Sequence, residues 1–275
     1  MSCHLKSSGS QRKPSSCIGG LLRALIPLTL SLIPLSADEP RWVQHRHVGS
    51  LEIFSESPEN LSAVLEELQG VTAEFQNLLG FSTADRTVQL IIFRSHQSYR
   101  SYLAERIPQA LGRRAIFFRN GDRYQIFAFR HADLLTDLRH EYTHALLHQQ
   151  LPYIPLWIDE GLAEFLEDRP DQRSRSSRLA GMKWRCRSGW HPSLEKLEAM
   201  DSAAGMTSAQ YRDSWAWVHF LINDSDATRQ LLKDYVQAIS AGEAPGPFSE
   251  WASRRDPLVL KRVGSYFRRF RISLR

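Results

Sequence analysis

From Trp42 to Phe54 apolar and polar positions alternate loosely, the period of a strand, and from Leu61 to Leu79 apolar residues recur every three or four positions, the period of a helix (Leu61, Val64, Leu65, Leu68, Val71, Phe75, Leu78). Gly80 follows as a helix stop. Thr87–Phe93 is rich in β-branched and aromatic residues and predicts a buried strand, and His96–Arg106 a short helix. Ala115–Phe118 and Tyr124–Phe129 flank Asn120-Gly121, a turn signal that predicts a β-hairpin. Beyond His131 the period is helical: Asp133–Gln149, Leu156–Glu167, Ser208–Ile222, Ala227–Ile239 and shorter pieces to the end. The polar, basic stretch from Arg169 to Gly205 reads as a long loop. The pattern predicts an α+β fold in which a small mixed sheet packs on the Asp133–Gln149 helix and the C-terminal half is mostly helical.

The start of the chain follows a different rule. Lys6, Arg12, Lys13 and Arg23 precede an apolar run from Ala24 to Leu35, and Ser36-Ala37 follow, the order of a secretory leader. The run holds Pro27 and Pro34 and is shorter than the ~20 apolar residues that span a bilayer. Residues 1–37 are therefore read as a signal or N-terminal anchor, and 38–275 as one domain with an α/β part (38–130) and a helical part (131–275). Export follows: a secreted, periplasmic or cell-envelope protein, with membrane association through the N-terminal segment as the anchored alternative.

That division changes the meaning of the charge. The formal net charge of +5 owes most of its value to the four cations of the leader, and the six basic residues after Asp256 outweigh what remains, so the body between is mildly acidic. The basic end reads as the solvated face of an amphipathic last helix, and no nucleic-acid partner is expected. Of three cysteines, Cys3 and Cys17 fall in the leader, which leaves Cys186 alone and excludes a disulfide framework in the mature chain.

Candidate chemistry concentrates in His140-Glu141-Tyr142-Thr143-His144. Residues four apart share a helix face, so two imidazoles can address one metal ion, with Glu141 beside it to handle a water. Shortly after comes Trp157-Ile158-Asp159-Glu160-Gly161-Leu162-Ala163-Glu164. Glu160 offers a third ligand from a second helix, which leaves one coordination position open, as catalytic zinc requires. Gly161 and Ala163 are small enough for close helix packing, and Glu164 is positioned to accept the second N–H of a ligating histidine. His131, His148 and His191 read as ordinary surface or core histidines.

These two motifs resemble those of the gluzincins, zinc peptidases that include the thermolysin and aminopeptidase N families, and also bacterial secreted peptidase-like domains with His-Glu-Tyr-x-His and Asp-Glu-Gly-x-Ala-Glu. The resemblance spans roughly Thr87 to Ile239. It implies a zincin-like fold, one Zn²⁺ per chain on His140, His144 and Glu160, and hydrolysis of peptide or protein substrates with Glu141 as general base for a metal-activated water. It also implies an oxyanion partner from a downstream helix, for which Tyr211 is the candidate, and a substrate-pairing edge strand, for which Tyr124–Phe129 is the candidate. The separation of sixteen positions from His144 to Glu160 is shorter than in the two named families. No Gly-x-Met-Glu-Asn signature precedes the site, so N-terminal trimming is not implied. The alternatives are a zinc hydrolase of a non-peptide amide or ester and a non-catalytic binding protein that keeps the fold.

Overall fold

The computed structural model describes residues 42–82, 86–174 and 177–270, and the leader read at 1–37 lies outside them. Five strands and a helix-rich remainder make an α+β fold. In chain order they are β1 (Gln44–Val48), β2 (Leu51–Ser55), α1 (Ser62–Leu79), β3 (Val88–Phe93), α2 (His96–Arg106), β4 (Ala115–Asn120) and β5 (Arg123–Phe129). Then come α3 (Leu134–Gln150), α4 (Leu156–Leu166), α5 (Pro170–Arg173), α6 (Ser177–Arg187), α7 (Leu194–Glu198), α8 (Ser208–Asn223), α9 (Asp226–Ser240), α10 (Phe248–Arg255) and α11 (Val259–Arg269).

The strands lie in the order β1-β2-β3-β5-β4, with β2, β3 and β5 parallel and both outer strands antiparallel to their neighbours. Register puts Leu90 between Ile53 and Ile126, and Ile91 between Phe54 and Phe127. Because side chains alternate, the first row enters the core shared with α1 and α3, and the second row enters a separate cluster with Tyr99, Tyr102 and Leu103 of α2. A strand buried on both faces must be apolar throughout, which is why Val88–Phe93 reads as a continuous run.

Two segments differ from the sequence expectation. The single strand expected at Trp42–Phe54 is a hairpin, since Gly49 adopts a left-handed φ of 59° that lets the chain reverse between Val48 and Leu51. Arg169–Gly205 is not a loop but carries α5, α6 and α7, and its apolar residues Leu179, Met182, Cys186, Leu194 and Leu197 are buried. Four basic residues on α6 masked that spacing.

A buried charge network fixes the helices around the site. Arg139 is 3% exposed and donates to Glu67 and Glu74 of α1, at 2.7 Å each, and to the Leu166 carbonyl at the end of α4. Removing one partner from such a network costs ~3–5 kcal/mol, because it strands a charge. Arg139 therefore ties α3 to α1 and α4 one residue before His140. Among the described residues no helix is long and apolar enough to cross a membrane.

Candidate metal centre

His140 and His144 lie one turn apart on α3, and Leu138, Tyr142 and Ala145 between and around them face the core. Their rings thus turn toward α4, which doubles back after the Leu151–Pro155 connection. Close approach of α4 to α8 depends on Gly161: a Cβ there would sit 2.7 Å from the Ser214 carbonyl oxygen and 2.7 Å from Val218 Cγ2. That approach sets Glu160 opposite the histidines.

Three donors converge. His140 Nε2 and His144 Nε2 are 3.3 Å apart, and Glu160 Oε2 lies 3.8 Å from the first and 3.7 Å from the second. Donors held ~2.1 Å from a tetrahedral ion are separated by ~3.4 Å, so the observed spacing suits an ion of zinc's size to within a few tenths of an ångström. His140, His144 and Glu160 would hold it.

Each imidazole has its other nitrogen engaged. His144 Nδ1 meets Asp159 Oδ1 at 2.6 Å, and His140 Nδ1 meets Glu167 Oε2 at 3.0 Å. These contacts leave both Nε2 atoms aimed at the centre. The role expected of Glu164 therefore falls to Asp159 and Glu167, while Glu164 pairs with Arg178 at 2.9 Å, within reach of His140 and Glu167. Glu167 is seven residues beyond Glu160 and shares its helix face. His148, read as an ordinary histidine, has a partner too: its Nε2 lies 3.0 Å from Asp159 Oδ2.

The electrostatics ask for a cation. Burial pushes the His144 pKa down, but Asp159, by charge and hydrogen bond, and then Glu160 and Glu141 outweigh it and lift it to about 10. His140 is raised as well: burial opposes, and the Glu167 hydrogen bond and the Glu141 charge prevail. Two imidazolium N–H groups cannot point at each other across 3.3 Å, so a single cation between them answers the surrounding carboxylates better than two protons. Burial raises Glu160, and the histidines oppose that shift.

Glu141 is buried beside this centre and accepts the backbone N–H of Phe117 at 2.6 Å. Phe117 lies on β4, which is the sheet edge; β5, the strand expected there, is interior between β3 and β4. The antiparallel turn at Asn120-Gly121 returns the chain from β4 to β5, which pairs with β3 and so leaves β4 outermost. Tyr211, half-buried in the first turns of α8, is brought to the same region. Its phenol is pushed up by burial and the Glu160 charge, against a hydrogen bond and charge from Arg113.

Of the basic stretch at Arg173–Arg187, Arg178 reaches the site's carboxylates, whereas Arg173 binds Glu74 and Lys183 donates to the Phe270 carbonyl. Cys186 is buried, and burial raises its thiol pKa, the opposite of an activated nucleophile. No protein-family model matches the chain, and no curated protein is similar to it.

Proposed function

We propose that this protein is a zinc-dependent hydrolase of peptide bonds with a zincin-like architecture. The observation that carries the reading is the convergence of His140 Nε2, His144 Nε2 and Glu160 Oε2 at 3.3–3.8 Å beside a buried Glu141 held by the edge strand.

Zinc, when bound, would act as a Lewis acid toward water and a carbonyl oxygen. The protein's own groups supply the rest. Asp159 and Glu167 keep the two imidazoles in the required tautomer. Glu141 takes a proton from water and returns it to the leaving amine, and the Phe117 N–H fixes its carboxylate for that transfer. Tyr211 keeps its proton, which makes its hydroxyl a donor for the developing oxyanion, with Arg113 orienting it. As the edge strand, β4 rather than β5 would pair with an extended peptide, beside the Phe117 N–H that Glu141 engages. Export of the mature chain belongs to the same reading.

The test is cleavage of a denatured protein substrate by the purified chain. Activity that a chelator removes, that zinc restores and that Glu141→Gln lacks supports the assignment. Equal cleavage by Glu141→Gln refutes it.

A further inference from the structure

Helix α6 buries Leu179, Met182 and Cys186, which leaves Trp184 on its outer face. Trp184 is 69% exposed, the most exposed large apolar side chain among the described residues. A protein that leaves an indole in water forgoes the stabilisation its burial would bring. The surroundings of this Trp are cationic. Lys183 precedes it, Arg187 follows one turn on, and α11 runs alongside, bonded through Lys183 Nζ to the Phe270 carbonyl at 3.1 Å and Arg268 Nη1 to the Cys186 carbonyl at 3.4 Å. These two contacts hold the C-terminal end of α11, with Arg268 and Arg269 both exposed, against α6.

Several arginines elsewhere on the surface are neutralised, Arg114 by Asp133 and Asp137, Arg262 by Asp256 and Arg254 by Glu250. Among the described residues no carboxylate lies within ion-pair distance of Lys183, Arg187, Arg268 or Arg269. Arg178 pairs with Glu164, and the charge of Arg185 is felt by Asp213, so neither is counted in this group. Beyond Phe270 the sequence adds Arg271 and Arg275 and no carboxylate.

We propose that the outer face of α6 and the C-terminal end of α11 docks on an anionic lipid surface, with Trp184 at headgroup depth and the exposed Arg187, Arg268 and Arg269 facing the phosphates. Tryptophan flanked by cations is the side-chain chemistry that partitions into the membrane interface. Nucleic acid would answer the charge, but single-strand binding uses a row of aromatics for successive bases, and this face carries one. The face is independent of the metal centre, although Arg178 links the start of α6 to Glu164 and would set the candidate site near the lipid.

The experiment uses the full chain, sedimented with phosphatidylcholine vesicles with or without phosphatidylserine at about one lipid in three. Binding that requires phosphatidylserine and falls steeply from about 0.1 M to about 0.5 M salt is expected. The Arg187→Gln/Arg269→Gln pair should lower partition about 25-fold, about five-fold per charge. Trp184→Ser should remove a blue shift of tryptophan emission that the parent acquires on vesicles. Circular dichroism and thermal midpoints of all variants should match the parent, since the replaced side chains are exposed. Binding equal in parent and variants, including binding carried wholly by residues 1–41, overturns the proposal. Tighter capture of a single-stranded oligonucleotide than of vesicles at equal salt overturns it in favour of nucleic acid.

Discussion

Gly161→Ala is the substitution whose effect the structure fixes most narrowly. The added Cβ would lie 2.7 Å from a backbone carbonyl oxygen, that of Ser214, and 2.7 Å from Val218 Cγ2. The valine methyl can rotate away, but the carbonyl belongs to the α8 backbone and cannot. Restoring ordinary contact requires α4 and α8 to separate by roughly 0.5–0.7 Å. Overpacking of this kind costs ~1–3 kcal/mol, and a backbone obstacle belongs at the upper end. Alanine recovers ~1 kcal/mol of helix propensity, so the net loss is ~2 kcal/mol. For a domain of this size that is a fall of roughly 4–8 °C in thermal midpoint. Because α4 carries Asp159 and Glu160, the displacement also loosens the donor triangle, and zinc affinity should drop on the order of ten-fold. Thermal melts of the metal-free protein and chelator competition for zinc measure the two effects separately. A variant more stable than the parent by ~1 kcal/mol, with zinc affinity intact, would mean that propensity alone acts and that the helix approach does not set the site.

Two further outcomes follow from named contacts. Asp159→Asn keeps the volume but removes the charge from His144 Nδ1, and zinc affinity measured by chelator competition should fall ~10–100-fold; an unchanged affinity would remove Asp159 from the site. His219 is buried against Tyr266, and its pKa is pushed down to about 3 by burial and then by the Arg173 charge. The unfolded chain binds that proton near pH 6.5 and the folded chain refuses it, so stability falls as pH drops below 6.5, by ~2 kcal/mol by pH 5. In urea titrations His219→Gln should flatten that acid slope, and an unaltered slope would contradict the assignment.

Much of the framework was legible because its signals are local. The periodicity of Leu61–Leu79, the apolar run at Thr87–Phe93 and the Asn120-Gly121 turn each specify an element without reference to the rest of the chain, and all three elements are present. The pairing order was not legible: whether β4 or β5 is the edge depends on which strand β3 accepts, a long-range choice that a hairpin signal does not encode. In the site, four-residue spacing put His140 with His144 and Glu160 with Glu164 on shared faces. Spacing could not say which carboxylate meets which ring nitrogen. Asp159 precedes Glu160 by one residue, about 100° around the helix, and serves His144 through the packing of α4 on α3, which spacing within one helix does not encode. Glu167, one turn beyond Glu164, takes His140 for the same reason. His148 lay one further turn along the same helix, so the i, i+4, i+8 series was a signal available in the sequence.

Zinc content tests the central claim most directly. The parent chain, purified without chelators and analysed by elemental mass spectrometry, should carry one zinc, His144→Ala should carry essentially none, and Glu141→Gln should keep the metal while losing hydrolysis. A parent that binds no zinc when it is offered, or a His144→Ala variant that holds zinc as tightly as the parent, would contradict the account.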